Sequence, residues 1–135
     1  MINNGIKLLL VSFLIFAASC GDFGIEDNPA IDDKVEKFLG TWSVSDQPAR
    51  LNYTVKIERS PINADEYVIL NNFGDLGGSA VGLVVQNTIV IDNQGIGNGF
   101  KAEGSGNYLS EKKMEFEFFL DDGIEKELRK ATFTK

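Results

Sequence analysis

The chain is 135 residues long, carries 13 lysines and arginines against 20 aspartates and glutamates, and contains no histidine and one cysteine. A net charge of −7 argues against nucleic acid as a partner, because that binding depends on clustered basic side chains neutralising phosphates. Without histidine, and with one thiol, a Ser-His-Asp hydrolase, a thiol protease, a typical zinc site and an internal disulfide are all excluded, and the folded part must be held by its core alone.

In chain order, Lys7 precedes an apolar or small run from Leu8 to Ala18, and Ala17, Ala18 and Ser19 lead to Cys20. This is the three-part layout of a secretory signal. The run stops short of the roughly 20 apolar residues of a membrane-spanning helix before it meets Asp22, Glu26 and Asp27. Ala17-Ala18-Ser19-Cys20 resembles a bacterial lipobox. The resemblance implies a lipoprotein in which the Cys20 thiol is acylated, residues 1–19 are removed, and Cys20 becomes the new N-terminus. An ordinary secretory signal with a chance cysteine is the alternative. Fatty chains such as palmitate, at ~0.8 kcal/mol per buried methylene, anchor such a protein to the membrane unaided. Gly21 rather than aspartate after the cysteine leans toward the outer membrane of the cell envelope, on its periplasmic or its surface face.

Residues 20–33 are acidic, broken by Pro29 and without an apolar period, as expected of a flexible tether. Residues 34–135 have the length of one domain. At its start Val35, Phe38 and Leu39 stand at helical spacing, with Asp32 or Asp33 as N-cap and Gly40 as a stop, which predicts one short N-terminal helix.

Everything afterwards reads as strands. Leu51, Tyr53, Val55 and Ile57 alternate with Asn52, Thr54, Lys56 and Glu58, and Met114, Phe116, Phe118 and Leu120 alternate around Glu115 and Glu117. Such alternation marks antiparallel sheet with one buried and one wet face. Turn signals stand at Ser60 to Asp65, Gly74 to Gly78, Gln86-Asn87, Asp92 to Gly95, Leu109 to Glu111 and Asp121-Asp122-Gly123. The pattern predicts an all-β fold: a small antiparallel up-and-down meander of about eight strands, closed into a barrel so that no edge is exposed. Ala102, Gly104, Gly106 and Tyr108 share a face with Phe100, which leaves the inner face bare where a strand must bend around a narrow barrel.

Gly40-Thr41-Trp42 follows the short helix and opens the first strand, and this placement resembles the Gly-x-Trp motif of lipocalins and related calycin barrels. The whole pattern is similar to small lipocalin-like lipoproteins of Bacteroidota, whose function is unknown. The resemblance implies that Trp42 closes one end of the barrel while an arginine or lysine of the last strand packs across its ring. Arg129, in phase with Ala131 and Phe133, is the residue expected there. A tryptophan that simply fills a core is the other account of Trp42.

The inner aromatic face, Tyr53, Tyr67, Phe73, Phe100, Tyr108, Phe116 and Phe118, has the composition of a pocket for a small apolar ligand and equally that of the core a disulfide-free domain requires. Asp65 and Glu66, Asp121 and Asp122, and Glu125 and Glu127 are the acidic pairs to weigh as catalytic carboxylates. They fall in turns or on wet faces, where burial that would raise a pKa is not expected. Asp92 to Gly99 and Leu120 to Glu125 offer oxygen ligands beside glycines but lack the ligand order of a calcium loop. No catalytic residue, metal or cofactor is therefore expected. The expected protein is a membrane-anchored, non-catalytic lipoprotein that binds a small apolar ligand or a protein or glycan partner. A structural role in an envelope complex and inhibition of a protease are the alternatives.

Overall fold

A computed structural model of the chain describes residues 33–135; Cys20, the signal and the tether as far as residue 32 lie outside the described residues. Eight strands follow one another: β1 Gly40–Gln47, β2 Leu51–Arg59, β3 Tyr67–Asn71, β4 Ser79–Val85, β5 Thr88–Gly97, β6 Phe100–Ser110, β7 Lys113–Asp121 and β8 Lys126–Thr134. Each pairs antiparallel with the next, and β8 returns to β1, so that the sheet is a closed barrel in up-and-down order. No strand edge is left unpaired by the topology, which is how this architecture avoids edge-to-edge association.

The alternation read from β2 and β7 is the alternation of the wall. Val55 and Ile57 of β2 and Met114, Phe116, Phe118 and Leu120 of β7 are buried, while their odd-phase neighbours are exposed. The Gln86-Asn87 hairpin joins β4 to β5 as two residues, and Gln86 takes the left-handed conformation that such a turn needs (φ 55°).

Three local expectations are corrected. The N-terminal helix is only a 3-10 turn, Glu36–Phe38. Val35 and Phe38 are buried as expected, but Gly40 already begins β1, so the chain has no room for a further turn. Asp92 to Gly95 is not a turn; it lies inside β5, which bulges between Ile91 and Gln94 and again between Gly95 and Gly97, and the hairpin falls at Asn98-Gly99. The bulge is held by the Gln94 side chain. Its Oε1 accepts from the Val81 N–H at 2.7 Å and its Nε2 donates to the Val81 carbonyl at 2.9 Å, so one amide side chain replaces the backbone of a strand beside β4. The third concerns Tyr67, which shares the outer phase of β3 with Ile69 while Val68 and Leu70 point inward.

The interior is a packed core. Phe73, carried by a 3-10 turn (Phe73–Asp75) in the β3–β4 loop, folds back into the barrel and meets Phe118 at 4.6 Å and Phe116 at 5.8 Å between ring centroids. Phe116 in turn meets Phe133 at 4.4 Å. The bare positions of β6 are filled from across the sheet. A Cβ at Gly106 would lie 2.3 Å from the Phe116 ring, and one at Gly104 would lie 2.3 Å from the Glu117 carbonyl oxygen and 2.5 Å from the Phe118 Cα.

Gly104→Ala is therefore expected to destabilise the barrel by about 1–3 kcal/mol, since its clash is with backbone that cannot step aside. Gly95→Ala, where a Cβ finds only the Phe100 carbonyl oxygen at 3.9 Å, should stay within about 0.5 kcal/mol of the parent. Urea unfolding followed by the emission of Trp42, the only tryptophan, measures both.

Candidate functional site

Two constellations of chemistry-bearing side chains lie at opposite ends of the barrel. At the end where the described chain begins, Trp42 is fully buried and its indole N–H donates to the Phe38 carbonyl at 2.9 Å. The ring is covered by Lys135, whose Nζ stands 4.4 Å from the ring centroid and donates to the Leu39 carbonyl at 2.7 Å. Gly40 makes this arrangement possible twice over. Its φ of +117° is disfavoured for any residue with a side chain, and a Cβ there would lie 3.2 Å from Lys135 Nζ. Tyr108 and Phe38 complete the closure edge to face at 5.6 Å, with Lys37 over the Tyr108 ring at 5.0 Å.

A basic residue does cover Trp42, but it is Lys135, one position past the end of β8, and not Arg129 of the strand itself. The register decides this. Ser43 pairs with Thr134 and Asp46 with Ala131, so Trp42 stands opposite position 135, while Arg129 lies six residues back along β8, roughly 20 Å away at ~3.3 Å per residue.

Arg129 does point inward, and it meets a partner that lies outside the Gly-x-Trp motif. Asp46 continues the inward phase of Trp42 and Val44 in β1 and is fully buried. Its Oδ2 accepts from Arg129 Nη1 at 2.9 Å and from the Tyr53 hydroxyl at 2.7 Å, and Arg129 Nε donates to Glu127. Asp46 Oδ1 is buried without a protein partner. Burial opposes the charge on Arg129, but the carboxylates of Glu127 and Asp46 outweigh it and hold the guanidinium above its ordinary pKa. Burial, then the hydrogen bond to Asp46, pushes the Tyr53 phenol well above its ordinary 10.0. Tyr53 therefore stays a neutral donor at any physiological pH, and the cluster works as an internal ionic latch. The signal for Asp46 was in the sequence: it is the i+4 position from Trp42 on a strand of period two.

The other expected ligand-lining residues separate. Phe73, Phe116 and Phe118 are core, Tyr53 belongs to the latch, and Tyr108 belongs to the Trp42 closure. Phe100 packs half-buried against the core edge, and Tyr67 faces outward. The acidic pairs do not gather into a cleft. Asp65, Glu66 and Glu125 are exposed, and Glu127 serves Arg129. Asp121 and Asp122 build the β7–β8 turn: Asp121 accepts from the Gly123 N–H at 2.8 Å, and Asp122 from the Ile124 and Glu125 N–H groups at 2.8 and 2.7 Å. Among the described residues no three acidic, histidine or cysteine side chains stand together as a metal site.

No protein-family model matches the chain, and no curated protein matches it in sequence. The fold stands on the geometry: an all-β, closed, eight-stranded antiparallel up-and-down barrel, consistent with a lipocalin-like barrel.

Arg129→Met leaves the Asp46 carboxylate buried and uncompensated, and is expected to cost about 3–5 kcal/mol; Asp46→Leu with Arg129→Met should recover most of that loss. A double-mutant cycle by urea unfolding checks both expectations.

Acid should also loosen the fold. The Asp33 carboxyl is held below its ordinary 3.8 by the Arg59 guanidinium, and that of Asp122 by the turn N–H groups. For such depressed groups the stabilisation is fully present above the ordinary value and is lost as pH falls through the lower, folded one. The urea midpoint is therefore expected to be insensitive to these groups from pH 8 to 5 and to drop below about pH 4.

Proposed function

We propose that this chain is a lipid-anchored, non-catalytic lipoprotein of the lipocalin-like kind, held through Cys20 at the outer membrane of a cell envelope. It acts by binding a macromolecular partner on the outside of its barrel. The observation that carries the choice of the outside over the inside is the filled interior. The aromatic side chains that would line a ligand pocket pack against one another, and the bare glycine positions of β6 lie against Phe116 and Phe118. The lipobox resemblance supports the anchor, and the absence of histidine supports a role without acid–base chemistry.

Native mass spectrometry of the protein matured in its own host tests this reading. The expected mass is that of the polypeptide from Cys20 with its acyl chains and nothing more. Extra mass of a few hundred daltons, released on denaturation, would return the function to the barrel interior. Cys20→Ala is expected to abolish incorporation of labelled palmitate and to release the protein from the membrane fraction.

A further inference from the structure

The two ends of the barrel differ in charge. The loops of the far end, residues 48–50, 72–78, 98–99 and 122–125, carry Asp75, Asp122 and Glu125 against Arg50 alone. At the end where the described chain begins, a concavity of about 600 Å³ lies between the 3-10 turn, the β6–β7 hairpin and position 135. Lys37, Lys112 and Lys135 stand around it, and Leu39 and Tyr108 form its apolar part. The fold gathers these lysines. The Lys135 backbone N–H donates to the Lys112 carbonyl at 3.1 Å, and Lys37 lies over the Tyr108 ring and donates to the Asn87 side chain. Of the two carboxylates beside the concavity, Glu36 is bound by Arg59 at 2.7 Å, which leaves Glu111. Among the described residues none of the three lysines forms an ion pair. An ammonium has three donors; Lys135 uses one on the Leu39 carbonyl, Lys37 one on Asn87, and Lys112 none on a side-chain contact. Positive charge and N–H donors are thus in surplus around an opening that suits a small polar group.

Resting on the anchoring reading above, we infer that this concavity takes phosphate headgroups of the bilayer to which the chain is anchored, so that the barrel stands on the membrane on its Trp42 end. The path of the chain decides the occupant. The residues from Cys20 to Asp33 span at most ~45 Å even when fully extended, and Asp33 is tied to this same end by Arg59. An acylated Cys20 therefore keeps the concavity within reach of lipid, at an effective concentration toward the millimolar range. The far end and the side walls stay free for the macromolecular partner.

Screening makes the local charges decisive. The net charge of −7 opposes an anionic surface only through groups close to it, because the Debye length at physiological ionic strength is ~8 Å. The far loops lie one strand length away, roughly 20 Å or more. At the near end, Asp65 and Glu66 belong to the β2–β3 loop, diametrically across the eight-stranded barrel from the β6–β7 hairpin. A tilt toward the hairpin therefore sets Lys112, its neighbour Lys113, Lys37 and Lys135 against the headgroups and lifts those two carboxylates away. Leu109, 52% exposed at the end of β6, supplies an apolar tip for the headgroup layer, along which the lysine stems can lie.

The test uses the full-length protein as its host matures it, held through Cys20 on vesicles of phosphatidylethanolamine and phosphatidylglycerol. Its own acyl chains hold it there. Should mass spectrometry find none, the anchoring reading fails, and a maleimide lipid on the same thiol lets the docking be tested all the same. Leu109→Trp places a reporter beside the concavity, and Ile124→Trp places one at the far β7–β8 turn, where Ile124 is 92% exposed. With brominated lipids, quenching beyond that of the parent's Trp42 is expected for Leu109→Trp and little for Ile124→Trp. Adding Lys112→Glu and Lys113→Glu should cut that excess at least about fivefold, the factor associated with one lysine near an anionic surface, while the far-ultraviolet circular dichroism of the barrel stays unchanged. Equal quenching at both positions, none at Leu109→Trp, or quenching that survives the two lysine reversals would each overturn the docking. So would its loss on adding inorganic phosphate at an ionic strength where chloride leaves it in place, because the concavity would then be a seat for free anions.

Discussion

The pairing of β1 with β8 is the constraint on which the rest of this molecule depends. Closing the sheet fixes a single register between the first and last strands, and that register chooses the partners of both inward polar positions on β1. Trp42 receives Lys135 and Asp46 receives Arg129, while the β1–β2 register, which sets Val44 against Tyr53, brings the phenol to Asp46. A shift by one residue would turn all of these side chains to the solvent face. The two ends are therefore closed by different chemistry, an aromatic ring under an ammonium at one and an ion pair with a phenol at the other, although one strand pairing supplies the basic residue to both.

Closure also dictates the inside. Eight short strands make a narrow cylinder whose side chains suffice to fill it, and here Phe73 is added from a loop. The glycines of β6 are the complement of that filling: Gly104 and Gly106 stand where the β7 backbone and the Phe116 ring come closest. A wall of this kind has little left to offer a ligand within it, which is why the functional proposals made above turn to its exterior.

Much of this was legible in the sequence, and the misses share a cause. Period-two alternation gave the inward faces of β2 and β7 correctly, because phase is a local property of a strand. Tyr67 was assigned to the wrong face because β3 is five residues long and nearly apolar throughout, so its phase carries no polar contrast. The segment Asp92 to Gly95 has the composition of a turn, yet β5 runs through it because Gln94 satisfies the β4 backbone that the bulge would otherwise abandon. The covering of Trp42 was assigned to Arg129 because alternation places a residue on a face without saying how far along the barrel it lies; only register does that. Asp46 is readable as inward from the phase of Trp42 and Val44, but its acidity points the other way, because acidic residues in an alternating strand ordinarily mark the wet side.

Gln94 leaves the barrel with an uneven seam. Elsewhere around the wall neighbouring strands are joined by main-chain hydrogen bonds, but beside Val81 the joint is made by one amide side chain. The first half of β4 meets β5 through the Gln94 amide, while its other side is paired with β3 from Asn71 to Ile69 and its second half, Leu83 to Val85, is paired directly with β5. A cylinder that is seamless in topology is thus joined at this one place by side-chain rather than main-chain chemistry.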